Sequence, residues 1–157
     1  MSSKEQLIEV PPNNALNESL NVRFWPKAAP MTSQLMDSIQ IFDGIISDRG
    51  SKYSVSGGLC SSPEEARIFV KTLCRKKKFA KATHNTWAFV GRSGPVKNDD
   101  GEAGAGMVIA RMLEREGIRN HIVVVTRWYG GKRLGGDRFR HVQNAVRYYL
   151  DSRSKSD

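Results

Sequence analysis

The sequence predicts an α+β fold, a two-layer sandwich in which helices cover one face of a mixed β-sheet. Two alternating segments around the turn residues 47–50 are typical of an initial hairpin. Further strand patterns then alternate with stretches of helical periodicity. The 157 residues, 39% of them hydrophobic, are enough for one domain with a core of ordinary size. We therefore expect one folded domain with polar ends.

The first elements are defined by their own residues. Alternation from Ile39 to Ile46, with a slip at Gly44, predicts a strand with a bulge, and residues 51–59 alternate as its hairpin partner. Ser62, Pro63 and Glu65 then combine a cap hydroxyl, a first-turn proline and a capping-box glutamate, which predicts a helix start. The basic residues 75–78 near its end face the negative pole of the helix dipole.

The later elements follow from periodicity. We predict a strand at 83–90, a loop at 91–101, a helix from 103 to 116, a buried strand at 122–126 and a last helix from Asp137. The domain then spans residues 38–152. Residues 1–37 hold four of the six prolines and are predicted to be a disordered tail, in which Phe24 and Trp25 either pack on the domain or dock a partner. Residues 153–157 are predicted to be a polar tail.

The composition limits the class of protein. No apolar run approaches the roughly 20 residues of a membrane helix, and the first residues lack the apolar core of a secretory signal. Cys60 and Cys74 have neither the number for a disulfide scaffold nor the spacing of a zinc site. We predict a cytoplasmic protein, with the nucleus as the other compartment, with reduced thiols, no cofactor and no membrane partner.

The net charge of +9 is concentrated in two parts of the chain. Residues 67–81 contain seven bases and no acid, and residues 127–157 contain eight bases against three acids. Such clusters attract polyanions before any specific contact forms. A merely solvated surface is the other interpretation of a lysine run.

A glycine-rich basic segment follows the buried strand and predicts an anion or nucleic-acid site. Its backbone amides can hold an anion, its bases add charge, and its aromatic residues offer stacking surfaces. The alternative is a tight turn in which glycine supplies positive φ. It is not a Walker motif, because Asp137 and Arg138 stand where Lys and Ser or Thr are required. The predicted site residues are Arg127, Trp128, Tyr129, Gly130, Gly131, Lys132, Arg133, Arg138 and Arg140.

An acidic loop precedes the predicted second helix. Asp99, Asp100 and Glu102 are placed to cap that helix, or to coordinate a hard cation through oxygen. His84, at a strand start, is the histidine best placed for a polar site, although a structural hydrogen bond is the alternative. If the protein is an enzyme, His84, Asp100 and Glu102 are the predicted acid/base residues.

Three segments together resemble the IMPACT family, whose bacterial relatives are the YigZ-like proteins. They are residues 80–89 (AKATHNTWAF), residues 99–106 (DDGEAGAG) and residues 126–139 (TRWYGGKRLGGDRF), in the order that the family shows. The resemblance implies an α+β sandwich similar to a domain of ribosomal proteins and elongation factors. Residues 102–106 and the Trp-Tyr-Gly-Gly form resemble the eukaryotic branch. Met36-Asp37-Ser38-Ile39-Gln40 departs from the basic residue and Ser-x-Phe found in many relatives.

The resemblance implies a role in translation. Members of the eukaryotic branch regulate translation under stress by competing for the activator of a kinase, usually through an amino-terminal RWD domain, for which residues 1–37 are too short. We therefore expect a non-catalytic binding module for RNA, a ribosome-associated protein or a regulatory protein of translation, with no DNA or membrane partner. The alternative is a hydrolase-like enzyme that acts on a phosphorylated or carboxylated substrate at His84, the acidic loop and the glycine-rich segment.

Overall fold

The computed structural model describes residues 38–156, with side chains to residue 153. The predicted tail at 1–37 lies outside the described residues. The elements are β1 (Gln40–Asp48), β2 (Ser51–Leu59), α1 (Pro63–Leu73), the short α2 (Lys77–Ala80), β3 (His84–Gly91), β4 (Gly94–Asn98), α3 (Ala105–Arg115), β5 (His121–Trp128) and α4 (Asp137–Ser156). Because α4 continues to Ser156, residues 153–156 extend this helix instead of forming the predicted polar tail.

The strands form one five-stranded sheet in the order β1-β2-β5-β3-β4. Every neighbouring pair is antiparallel, where a mixed sheet was predicted. The reason is that β5 enters the sheet between β2 and β3. β2 and β3, which precede and follow α1 in the chain, run in the same direction. They do not pair with each other, because each pairs with β5. The predicted α+β sandwich of helices on a sheet is confirmed, but helices lie on both faces of the sheet and not on one.

The main core lies between the sheet and the layer formed by α3 and α4. Val55, Ala88 and Val123 from three strands pack there against Ile109 and Tyr149. α1 contacts the opposite face of the sheet, as two neighbouring glycines show. A Cβ at Gly57 would overlap the Tyr149 ring of α4, whereas one at Gly58 would lie 2.9 Å from Phe69 of α1.

Three local features of the structure agree with signals in the sequence. The strand slip falls between Phe42 and Ile46, where Gly44 has φ +61°. The Ser62 hydroxyl accepts the Glu65 N–H at 3.1 Å, as a capping box predicts. Gly117, with φ +70°, follows the end of α3.

Two predictions about local structure were wrong. Residues 94–98 form the edge strand β4 instead of a loop, because an edge position tolerates Pro95, which has no N–H to donate. The basic run does not end α1 either. That helix stops at Leu73, and the extended backbone of Lys76 starts the separate turn α2.

Candidate anion-binding pocket

The strand register places three polar side chains in one row across the sheet. Arg127 of β5 pairs with Tyr53 of β2 on one side and with His84 of β3 on the other. The predicted buried strand extends through Trp128 and so brings Arg127 into the sheet. This row lies on the α3 and α4 face, beyond the apolar layer of Val55 and Val125.

A cavity of about 570 Å³ opens above the end of this row. Its walls come from the start of β3, the end of β5, the glycine-rich segment and the first turn of α4. The lining residues are Thr83, His84, Arg127, Tyr129, Arg133, Leu134, Gly135 and Arg138. We call this cavity the basic pocket, because three of these residues are arginines.

A buried ion-pair network forms the base of the basic pocket. Glu102, only 2% exposed, accepts hydrogen bonds from Arg127 Nη1 at 2.8 Å and from Arg138 Nη1 at 3.2 Å. Arg127 Nη2 also donates to Ser51 Oγ at 3.4 Å. One carboxylate therefore serves two guanidinium groups, and the network keeps one net positive charge.

Two buried polar atoms beside the network have no hydrogen-bond partner among the described residues, Tyr53 Oη and Arg127 Nε. The Arg127 guanidinium carbon lies 5.8 Å from the centre of the Tyr53 ring. Burial raises the pKa of the Tyr53 hydroxyl to about 12, so that this hydroxyl stays protonated.

His84 is oriented by the acidic loop. Its Nδ1 lies 2.8 Å from the carbonyl oxygen of Asp100. Because a carbonyl only accepts, Nδ1 carries the proton, and Nε2 is the acceptor in the neutral ring. Gly101 packs closely against the His84 ring, because a Cβ added at Gly101 would lie only 3.1 Å from Nδ1.

The acidic loop is occupied by structural contacts. Asp99 accepts the N–H groups of Gly104 at 3.1 Å and Gly106 at 2.8 Å, which holds the start of α3. The pKa of Asp99 is lowered by these amide contacts, against the opposing effect of its partial burial. Asp100 Oδ2 accepts the Asn85 N–H at 2.7 Å. No group of three or more His, Cys, Asp or Glu side chains within residues 38–153 is arranged to hold a metal ion.

The backbone N–H groups at the start of α4 are engaged with the carbonyls of the glycine-rich segment. The N–H groups of Asp137, Arg138 and Phe139 donate to carbonyls three residues earlier, at 3.1 to 3.3 Å. Gly131 and Gly135 have φ of +93° and +57°, which matches the turn interpretation. The charge available to an anion is therefore on side chains rather than on the amides that start α4.

The structure separates the predicted site residues into two groups. Arg127, Tyr129, Arg133 and Arg138 line the basic pocket. Trp128 follows Arg127 on the opposite face of β5, where its ring packs 5.4 Å from Phe79. Five predicted residues therefore do not line it: Trp128, Gly130, Gly131, Lys132 and Arg140, the last paired with Asp137 at 3.2 Å.

The hairpin turn between β1 and β2 contacts α4, whose first turn forms part of the pocket wall. Arg49 forms an ion pair with Asp137 at the start of α4, and His141 Nε2 lies 2.8 Å from Asp48 Oδ2. Hydrogen bonds from Arg49 and then from His141 lower the pKa of Asp48 to about 2. His141, on α4, is buried by these contacts and is only 8% exposed.

Sequence reasoning missed other residues of the site. Leu134 lines the pocket, and Ser51 Oγ accepts hydrogen bonds from Arg127 and Gly130. Tyr53 belongs to the alternating apolar pattern of β2, and this pattern does not indicate that Tyr53 lies beside Arg127. No local pattern reveals which residues of distant strands share a register.

Fold and site together define a small α+β sandwich domain with a basic pocket at one edge of an antiparallel sheet. Within the described residues, no helix is both long enough and apolar enough to span a membrane. Residues 49–150 match the model of the Impact N-terminal domain. The chain therefore belongs to the IMPACT family.

One curated protein and two solved structures illustrate what this chain is similar to. The mouse Protein IMPACT is 32% identical over an alignment of 156 positions that covers 95% of this chain and 48% of the mouse protein. This chain thus spans about half the length of that relative. A crystal structure of a hypothetical protein shares the fold, with a TM-score of 0.61 and 22% identity over 73% of this chain and 61% of that one. The two-domain translational regulator Yih1 is 29% identical over 71% of this chain and 45% of that one, with a TM-score of 0.44.

Proposed function

We propose that this chain is a non-catalytic binding module linked to translation, and that its basic pocket binds RNA. The observation that carries the proposal is the net positive charge of a cavity that also presents an aromatic ring. Arg127 and Arg138 share the single carboxylate of Glu102, and Arg133 adds a third guanidinium group to the pocket walls. Tyr129 stands beside them, 48% exposed.

The groups that a ligand can reach favour a nucleotide. Arg133 is exposed and Arg138 is partly exposed. A guanidinium group can donate two parallel hydrogen bonds to two oxygens of one phosphate. The Tyr129 ring, 5.7 Å from the Arg127 guanidinium carbon, offers a face for one unpaired base. A volume of about 570 Å³ lies in the range of small-molecule sites, which suits a single flipped-out nucleotide.

The link to translation rests on family membership. The resemblance to the eukaryotic branch implies regulation of translation under stress, and an RNA-binding domain would place such a regulator at the ribosome. We therefore propose a cytoplasmic site of action. A ribosome-associated or kinase-activating protein is the partner to test if RNA does not bind.

Fluorescence anisotropy with labelled single-stranded RNA tests the proposal. The pocket variant Tyr129→Ala/Arg133→Ala removes a stacking face and a phosphate contact. We expect its affinity to fall by about 10- to 100-fold, since stacking contributes about 1 to 3 kcal/mol per base. Tyr148→Ala/Arg111→Ala is the matched control, because Tyr148 is 47% exposed and Arg111 is also exposed. Equal losses in both variants, or no binding by the wild type, would exclude the pocket as an RNA site.

The orientation of His84 favours an enzymatic activity as the second candidate function. Nδ1 is held by a carbonyl, so Nε2 is free to accept a proton from a water or a substrate at the pocket. Glu102 and Asp100, the other predicted acid/base residues, are engaged with arginines and with the Asn85 N–H instead. Incubation of 5′-phosphorylated RNA with wild type and His84→Gln, followed by mass spectrometry, tests this candidate. A product from the wild type that His84→Gln does not form is expected if it is an enzyme, and unchanged RNA in both samples counts against hydrolysis of this substrate.

A further inference from the structure

The second basic cluster lies next to the basic pocket, although the two are far apart in sequence. Residues 75–81, which we call the basic turn, contain five bases and no acid. They follow the end of α1 at Leu73 and include the short α2. This turn has no part in the pocket walls, so its charge is not explained by the site described above.

Three hydrogen bonds fix the basic turn and the residues after it to the end of β5. Trp128 Nε1 donates to the carbonyl of Lys78 at 3.0 Å. The Thr83 N–H donates to the carbonyl of Arg127 at 2.9 Å, and the Tyr129 N–H donates to Thr83 Oγ1 at 2.9 Å. The turn therefore sits beside the strand end from which the glycine-rich segment leaves the sheet.

A second cavity lies beside the turn. It has a volume of about 380 Å³ and includes Ala80, Ala82 and Thr83 in its walls. Thr83 also lines the basic pocket and is the residue that the two cavities share. Asn85 and Asn98 supply amide groups on the other side of the second cavity.

The acids near this surface are mostly engaged. Asp43 pairs with Lys78 at 2.5 Å, and hydrogen bonds from Lys78 and Ser54 lower the pKa of Asp43. Asp100 is the acid that lines the second cavity, and its Oδ2 accepts the Asn85 N–H. Four bases of the turn are exposed and form no ion pair with other described residues: Arg75, Lys76, Lys77 and Lys81. The turn thus offers several exposed cationic groups that can contact phosphates.

We propose that the basic pocket, the second cavity and the basic turn form one continuous track for single-stranded RNA. This inference rests on the proposed function. One nucleotide enters the basic pocket beside Tyr129, the chain passes over Thr83, and the following phosphates contact the exposed bases of the turn. A single strand fits this path because its backbone bends freely and its bases are unpaired.

The track is tested with the full chain by anisotropy, using single-stranded RNAs of 2 and 12 nucleotides across a salt series. The turn variant is Lys76→Ala/Lys77→Ala/Lys81→Ala, and the control with the same loss of charge is Arg92→Ala/Arg111→Ala/Arg115→Ala, which are exposed bases of the β3–β4 turn and of α3. We expect the turn variant to bind the 12-mer on the order of 10- to 100-fold more weakly at low salt. Its log-log salt slope should lose about 2 in magnitude, because each single-strand phosphate contributes about 0.7.

The outcomes separate this inference from the proposed function. Dinucleotide binding that the turn variant retains, together with weaker 12-mer binding, supports the track. If the turn variant and the α3 control weaken the 12-mer equally, net charge alone acts and the track is overturned. A 12-mer that depends on the pocket but not on the turn overturns the track while the proposed function stands. Absence of RNA binding by the wild type overturns both.

Discussion

At the residue scale, Glu102 is the group on which the pocket depends. It stands on the loop before α3, and its carboxylate holds guanidinium groups from β5 and from the first turn of α4. Arg127 is only 4% exposed, so without Glu102 its charge would remain buried without an acidic partner among the described residues. A buried ion pair is costly to break from one side, even where its net contribution to stability is small.

We expect Glu102→Ala to lower the free energy of unfolding by about 3 to 5 kcal/mol, because it leaves a buried guanidinium unpaired. Urea unfolding followed by circular dichroism measures this change. Glu114→Ala, at an exposed position of α3, is the control and should change stability by no more than about 0.5 kcal/mol. A Glu102→Ala protein as stable as this control would show that solvent reaches Arg127.

At the element scale, the glycine-rich segment is held by the β1–β2 hairpin turn. Gly130 donates to Ser51 Oγ at 3.2 Å, and a Cβ added at Gly130 would overlap the backbone of Gly50 and Ser51. The ion pair between Arg49 and Asp137 connects the same turn to α4. The hairpin therefore sets the position of the segment that carries Tyr129 and the pocket arginines.

Gly130→Ala is expected to reduce both stability and RNA binding, because the segment must move away from the hairpin to admit the methyl group. A cost of about 1 to 3 kcal/mol, as for an overpacked contact, should appear as a lower Tm in differential scanning calorimetry. Gly136→Ala in the same segment is the control, since nothing lies within 4 Å of a Cβ there. The close approach would be refuted by identical Tm values for the two variants.

At the scale of the whole molecule, two titratable groups with shifted pKa values make stability depend on pH in two steps. Burial lowers the pKa of His121 from 6.5 to about 4, and Nε2 lies 2.6 Å from the hydroxyl of Tyr149. Between pH 6.5 and 4 the unfolded chain therefore binds a proton that the folded chain excludes. The pKa of Asp48 is lowered to about 2, so its contribution is present above pH 3.8 and is lost as pH falls toward 2.

We expect the free energy of unfolding to be constant with respect to His121 above about pH 7 and to fall as the pH decreases to 4. The full loss is up to about 3 kcal/mol, from roughly 1.4 kcal/mol per pKa unit. Urea unfolding at several pH values measures it, and His121→Leu should flatten the curve between pH 6.5 and 4. A wild-type slope that His121→Leu preserves would assign this pH dependence to other groups.

The sequence by itself determined the fold class, most of the elements and the family. These follow from local patterns: strand alternation, the capping box at Ser62, the glycine after α3 and the three motifs that resemble the IMPACT family. Four of the nine predicted binding residues lie together in the pocket, because they come from one strand end, the loop that follows it and the first turn of α4. Periodicity also indicated that Ile122 to Thr126 is buried, since a β-branched run has no polar face.

Only the tertiary structure decided which residues face one another. The insertion of β5 between β2 and β3 made the sheet antiparallel and aligned Tyr53, Arg127 and His84. Alternation along β5 then sent Trp128 to the face opposite Arg127, where it fixes the basic turn beside the pocket. Local sequence encodes the preference of each segment, but strand order and register are set by the packing of the whole core, so the site could be assembled only by the fold.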